Sequence, residues 1–153
     1  MAKVGSFRLI WGLPPEVFCK KHSRDPDILL AEMRPHLFGS RYLTRRFKRA
    51  TLVSDNTLGF LFFKKLIKEV ILFYEKKDNF GYTLIPGSLT VIILAKRHQV
   101  PIRLVNGVSQ IKIIKRTDQS ALTFLGRPVT LKNILPILPE PEFADYKFLE
   151  NPF

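Results

Sequence analysis

The sequence predicts an α/β domain of three layers, with helices on both faces of a mainly parallel sheet of about five strands. Three observations carry that reading. Short β-rich runs alternate with helical stretches along the first two-thirds of the chain, the rhythm of strand–helix–strand units. The runs are apolar almost without interruption, as in Ile28-Leu29-Leu30-Ala31 and Val70-Ile71-Leu72-Phe73, which is the pattern of strands buried on both faces rather than one. Proline and glycine punctuate the joints between runs, at Gly12, Pro14, Pro86, Gly87 and Pro101, where they end elements instead of interrupting them.

Each element has its own local reason. Phe7 to Trp11 reads as the first strand, stopped by Gly12. Pro14-Pro15 opens the following helix, because proline loses nothing in a first turn whose N–H groups lack partners anyway. Residues 27–32 read as the second strand and 41–49 as a short basic helix. Residues 50–54 form the third strand, after which Asp55 or Asn56 offers a side-chain cap to a helix running to about Leu66. Residues 69–74 are the fourth strand. Beyond a loop holding Gly81, Pro86 and Gly87, residues 88–98 read as a buried helix, although the β-branched run Thr90-Val91-Ile92-Ile93 leaves a long strand open. Residues 101–105 are the fifth strand, closed by Asn106-Gly107. From Gln110 the rhythm changes. Residues 110–115 and 121–125 read as short strands, forming a hairpin or an edge extension, and 131–138 as a short apolar segment. The chain thus divides into an α/β domain over 1–109, an extension of the same domain over 110–138, and an acidic, Pro-rich tail over 139–153 expected to lie extended on the body.

With 153 residues, 46% of them hydrophobic and 25% charged, the chain has material for one real core and is not of disordered composition. The single cysteine, Cys19, excludes an internal disulfide framework and any multi-cysteine zinc site. His22, His36 and His98 lack metal-ligand spacing, and no Gly-rich phosphate loop follows a strand. Neither a metal nor a cofactor is expected. No run of about 18 uncharged apolar residues could span a membrane. Residues 1–12 show no apolar h-region leading to a small-residue cleavage site. The expected compartment is the cytoplasm, with no membrane partner.

Charge is the most informative global property. Lys and Arg number 25 against 13 acids, for a net charge of +12. The tail holds Glu140, Glu142, Asp145 and Glu150 against Lys147 alone, which leaves 24 bases against nine acids in residues 1–139. Such a field attracts polyanions and speeds encounter with them. The densest positive run holds Arg41, Arg45, Arg46, Lys48 and Arg49. On a helix, Arg41, Arg45 and Arg49 would share one face, with Leu43, Phe47 and Ala50 turned to the sheet. A row of guanidinium groups suits bidentate contact with phosphates. Lys112, Lys115 and Arg116 form a second candidate group, and further bases gather at Lys20-Lys21-Arg24, Lys64-Lys65-Lys68, Lys76-Lys77 and Lys96-Arg97. No aromatic ribonucleoprotein signature or helix-turn-helix accompanies them, so backbone-directed RNA contact is the expectation, not base reading.

Three stretches, 33–44, 51–60 and 87–102, contain Arg34-Pro35, Gly39, Asp55, Gly59, Gly87-Ser88, Ala95-Lys96, His98 and Pro101 in that order. Together they resemble the C-terminal Rossmann-like domain shared by methylthioribose-1-phosphate isomerases, ribose-1,5-bisphosphate isomerases and the regulatory subunits of eukaryotic initiation factor 2B, over roughly residues 27–107. The resemblance implies a Rossmann-like fold, a sugar-phosphate crevice at the carboxyl ends of the strands, and homo- or hetero-oligomers formed through this domain. Arg34, Asp55 and Glu75 fall at strand ends, where open α/β sheets bind ligands, and are the candidates for a vestigial crevice. Asp55 reads equally as a helix cap and Arg34 as its ion-pair partner, while His98 reads as a base favoured by the helix dipole.

The departures from that family bear on function. Where the isomerases carry a cysteine at the end of the domain's first strand, this chain has Trp11-Gly12; Cys19 lies two helical turns later and reads as a small buried residue. The family's Gly-Ala-Asp turn becomes Phe73-Tyr74-Glu75-Lys76, its Gln before glycine becomes Phe38, and its Asn-Lys pair becomes Leu84-Ile85. The helical domain that completes the isomerase site has no counterpart in these residues. No catalytic residue is assigned. The expectation is a non-catalytic, basic protein resembling initiation factor 2B, binding RNA or a ribosomal or other translation-related assembly. The rivals are a sugar-phosphate-binding protein or isomerase and a regulatory protein–protein interaction subunit.

Overall fold

The structure, a computed structural model, describes residues 5–34, 36–79, 81–110, 123–124 and 127–128. Five strands form one sheet: β1 (Phe7–Trp11), β2 (Ile28–Ala31), β3 (Thr51–Val53), β4 (Ile67–Tyr74) and, last in sequence, β7 (Ile102–Asn106). They lie in the order β3-β2-β1-β4-β7 and every pairing is parallel. The fold is the expected Rossmann-like one, and its uninterrupted apolar strands are explained by burial: all four residues of β2 and six of the eight in β4 are buried.

The connections place helices on both faces. In the β1–β4 register Trp11 stands beside Leu72, so Phe73, one residue on, points to the opposite face from Trp11. Phe73 meets Phe18 of α1 (Glu16–His22) with ring centroids 4.9 Å apart, and Phe18 also meets Phe47 at 6.4 Å. Trp11 instead meets Ser88, the first residue of α3 (Ser88–Arg97). Against α3 packs α2 (Leu58–Phe63), with Phe62 stacked near the His98 ring at 6.1 Å. Helix α1 and the 38–50 segment thus cover one face, and α2 with α3 the other. Leu9, Ile10, Leu30, Ile71 and Val91 lie between, all fully buried.

At the amino ends of the strands an ion network ties the sheet together. Arg8 donates to Asp27 at 2.7 and 2.9 Å and to Asp25 at 2.8 Å, and Lys68 adds a 2.8 Å contact to Asp27. The Arg8 guanidinium holds the Asp27 carboxyl well below the usual carboxylate range. Asp25 is lowered as well, first by its hydrogen bond with His22 and then by Arg8.

Three expectations are corrected. Residues 41–49 are not one helix. A π-helical turn spans Phe38–Leu43, starts from Leu37 with φ of 59°, and gives way to turns at 44–46 and 48–49. Gly39 sits so close to the Ala31 carbonyl that a β-carbon there would collide with it, and this contact fixes the wide turn. The apolar part of the reading survives, because the Phe47 N–H still reaches the Leu43 carbonyl at 3.0 Å and both side chains are buried. Second, the helix expected to run to about Leu66 starts as a 3₁₀ turn (Asp55–Thr57) and ends at Phe63, with no side-chain cap. Third, the loop before α3 contains a hairpin, β5 (Lys76–Asp78) with β6 (Gly81–Thr83). Polar β5 gave no alternation to read; Tyr82 packing edge-on against Tyr74 at 5.1 Å holds it. A further antiparallel pair joins β8 (Thr123–Phe124) to β9 (Arg127–Pro128). Apart from Gln110, the strand expected over 110–115 lies outside the described residues, as do the expected segments 131–138 and 139–153.

Candidate functional site

The sheet order reverses between β1 and β4, and a doubly wound sheet ordinarily opens its ligand crevice at the carboxyl ends of those strands. Here that place is filled by the chain itself. Trp11, 2% exposed, donates its indole N–H to Ser88 Oγ at 3.1 Å, while Ser88 Oγ donates to the Ile85 carbonyl at 2.7 Å. The indole lies flush against the turn into α3: a β-carbon on Gly87 would stand 2.7 Å from Trp11 Cζ2, and φ at Gly87 is 84°. The segment after β7 then crosses the strand ends. Gly107 N–H donates to the Tyr74 carbonyl at 2.7 Å and Val108 N–H to the Leu13 carbonyl at 2.8 Å. That approach requires glycine, since a β-carbon on Gly107 would come 2.6 Å from the Leu13 oxygen.

The three crevice candidates do not converge on a common ligand position. Asp55 is neither helix cap nor partner of the Arg34 side chain. Its Oδ1 accepts the Met33 N–H and its Oδ2 the Arg34 N–H, each at 2.8 Å. It thereby pins a loop in which Met33 has the left-handed φ of 59°, a conformation that branched or bulky residues adopt only under constraint. The Arg34 guanidinium turns to Glu32 at 3.2 Å and is largely exposed. Glu75 clips down the chain after β7: Oε1 accepts from Ser109 Oγ at 2.6 Å and from Gln110 N–H at 2.9 Å, and Oε2 from Gln110 Nε2 at 3.1 Å. Phe38, Leu84 and Ile85 are all core residues.

Open, charged space lies on the other flank. A cleft of about 430 Å³ runs between α1 and the 44–48 turns, lined by Glu16, Cys19, Lys20, Ser23, Arg45, Arg46 and Lys48. Its walls are joined by the Lys48 N–H, which donates to the Ser23 carbonyl at 2.8 Å. Arg46 is held in place by the Tyr42 ring, 3.6 Å beneath its guanidinium carbon, and by a 3.1 Å bond to the Tyr42 carbonyl. Lys20 pairs with Glu16 at 3.0 Å on the exposed surface, a contact of little energetic weight. Among the described residues neither Arg45 nor Lys48 has a carboxylate partner. Cys19 is buried at the floor, its thiol pushed up to about 11 by burial, which makes it an unreactive packing group.

Of the five bases in the 41–49 run, the structure brings Arg45, Arg46 and Lys48 to this cleft and leaves Arg41 and Arg49 outside its lining, so the row expected from Arg41, Arg45 and Arg49 does not form there. Lys112, Lys115 and Arg116 lie outside the described residues. Lys20 joins from α1; the sequence marks it only within a separate basic group, because nothing in spacing alone places residue 20 beside residue 48. The filling of the crevice by Trp11 has one sign in the sequence, a lone tryptophan next to glycine at a strand end. Among the described residues no three metal-capable side chains come together, and no helix is long and apolar enough to cross a membrane.

The class is therefore a doubly wound, Rossmann-like α/β protein whose strand-end crevice is occupied by its own side chains and whose basic cleft lies to one side. Among solved structures it is similar to the translation initiation factor eIF-2B, subunit delta, from A. fulgidus, with a TM-score of 0.57, 19% identity, and coverage of 90% of this chain and 48% of that one. It is also similar to 5-methylthioribose 1-phosphate isomerase from Pyrococcus horikoshii OT3, with a TM-score of 0.52, 17% identity, and coverage of 89% and 46%. The chain spans about half the length of each of these proteins, and the likeness is one of fold. No protein-family model matches the sequence, and a search of curated proteins gives no significant match.

Proposed function

We propose that this chain is a non-catalytic binding protein that contacts RNA phosphates within a ribosomal or other translation-related assembly. The observation that carries the reading is the cleft in which Lys20, Arg45, Arg46 and Lys48 face one acid, Glu16. Three of those bases, Arg45, Arg46 and Lys48, have no competing carboxylate among the described residues, so a phosphate gains their charge without displacing an acidic partner. The fold likeness to a translation initiation factor subunit supports the setting. The rival reading, a sugar-phosphate enzyme or sensor related to the isomerase fold, is disfavoured by Trp11 standing in the strand-end crevice. Association through this domain, with itself or a partner subunit, is compatible with either.

The test is fluorescence anisotropy with a labelled single-stranded RNA between 50 and 200 mM salt, on the wild type and on Arg45→Glu/Lys48→Glu. Losing two phosphate contacts lowers the slope of log affinity against log salt by about 1.4 for a single strand and weakens binding at every salt concentration. Unchanged affinity and slope would remove the cleft from the reading. Binding of ribose 5-phosphate by the wild type, together with no RNA binding, would favour the rival. Salt-sensitive co-sedimentation with ribosomal particles is the cellular counterpart of the same experiment.

A further inference from the structure

The outer surface of the α2–α3 layer leaves two phenyl rings in water. Phe60 is 58% and Phe63 67% exposed, three residues apart on one side of α2. On α3, which packs beside it, Ile93 is 46% exposed. Neighbouring large apolar side chains left outside a core mark an interaction surface more often than single ones do. The ammonium of Lys64 lies 5.6 Å from the Phe60 ring centroid and 5.7 Å from that of Phe63. Lys65, Lys96 and Arg97 are exposed at the ends of the same two helices, and neither helix contains an acid.

We infer that this face is a docking site for an acidic segment of a partner protein, with apolar side chains of the segment covering Phe60, Phe63 and Ile93 and its carboxylates meeting Lys64 and the bases at the helix ends. Charge complementarity selects that occupant over two others. A second copy of this chain would set one basic patch against another across a two-fold axis, with no acid on either helix to pair with the cations of the other copy. Single-stranded RNA stacks bases on open ring faces. Here a cation already lies at cation–π distance from both rings, and Ile93 offers no face to stack on. A carboxylate-bearing peptide uses all three elements: rings, aliphatic side chain and ammonium. The site involves none of the residues of the basic cleft, so the inference stands apart from the reading of RNA contact.

The experiment uses the full chain and a labelled 14-residue peptide carrying Leu and Phe at i, i+3 and i+4 with Glu and Asp elsewhere, beside a counterpart with every acid changed to Gln. The acidic peptide should bind at least tenfold more tightly than the Gln counterpart. Phe60→Ser/Phe63→Ser should weaken it tenfold or more, and Lys64→Glu several-fold, while Arg45→Glu/Lys48→Glu leaves it unchanged. Both phenyl groups being exposed, the Phe variants should keep the wild-type melting temperature, which separates lost docking from lost folding. Equal affinity for the two peptides, or full binding by the Phe variant, would overturn the inference. So would sedimentation velocity showing a wild-type dimer dispersed by the Phe variant, or an RNA affinity that falls with those rings while the peptide fails to bind.

Discussion

Replacing Trp11 with alanine tests whether the strand-end crevice is filled from within. The side chain is 2% exposed, lies against the Gly87 turn, and makes the buried Nε1–Ser88 Oγ bond of 3.1 Å. Truncating a buried aromatic of this size costs about 3–5 kcal/mol, because the lost transfer energy is joined by a cavity that the surrounding strands cannot close. The orphaned bond adds little, since Ser88 Oγ keeps its own bond to the Ile85 carbonyl. For a chain of this length each kcal/mol moves the melting temperature by roughly 2–4 °C, so the variant should melt about 6–20 °C lower by the same scaling. The measurement is urea unfolding followed by far-UV circular dichroism, because Trp11 is the sole tryptophan and its fluorescence disappears with it. Trp11→Phe, which keeps most of the volume, should recover more than half of the loss. In the folded variant RNA affinity should stay within about twofold, since this change touches no phosphate contact of the proposed kind. A loss below about 1 kcal/mol would refute the reasoning, because a tryptophan so easily removed would not be packed in the crevice.

Two further outcomes follow from the same geometry. Asp55→Ala frees the Met33 and Arg34 amides and should cost about 1.5–3 kcal/mol, the range for one hydrogen bond to a charged group, because the Arg34 amide bond is exposed and water replaces it; hydrogen exchange at those two amides should accelerate while β4 amides stay protected, and unchanged exchange would show that Asp55 does not pin the loop. In acid the sign comes from Asp25 and Asp27, both held below the ordinary carboxyl value of about 3.9. Their contribution to stability is complete above that value and declines as pH falls through the lowered folded values. Urea midpoints should drop steeply below about pH 4, and Asp27→Asn should flatten that limb; parallel curves for the two proteins would sink the assignment.

The central strands β1, β2 and β4 were legible because burial on both faces leaves a continuous apolar run that needs no partner information to read; the edge strands β3 and β7 are less buried and are read from their β-branched residues instead. The joint after β1 and the two ends of α3 follow from punctuation at Gly12, Pro86, Gly87 and Pro101. The 41–49 segment misled for a physical reason. Leu43 and Phe47 have helical spacing and are both buried, so the pattern of core contacts is right. The backbone path is set instead by the Gly39–Ala31 contact and by the Lys48 N–H bonding to Ser23, both between residues distant in sequence. The same limit hid the basic cleft. Arg45, Arg46 and Lys48 were visible as bases, but their meeting with Lys20 depends on how α1 lies against the turn. Asp55 and Glu75 were correctly placed at strand ends, and their backbone partners, Met33, Arg34 and Gln110, leave no trace in residue type.

Those partners bear on what the protein does. A carboxylate that already accepts two or three hydrogen bonds must surrender them before it can hold a ligand, and each charged bond is worth about 1.5–3 kcal/mol. Asp55 and Glu75 are both in that position, and Trp11 would also have to leave its place. A sugar phosphate entering the strand ends would meet all three penalties at once. Arg45 and Lys48 carry no such debt among the described residues, and Arg46 is already oriented by Tyr42. The energetic asymmetry therefore runs against the crevice and toward the flank, and a ligand of this fold member is to be sought where its charge is uncommitted.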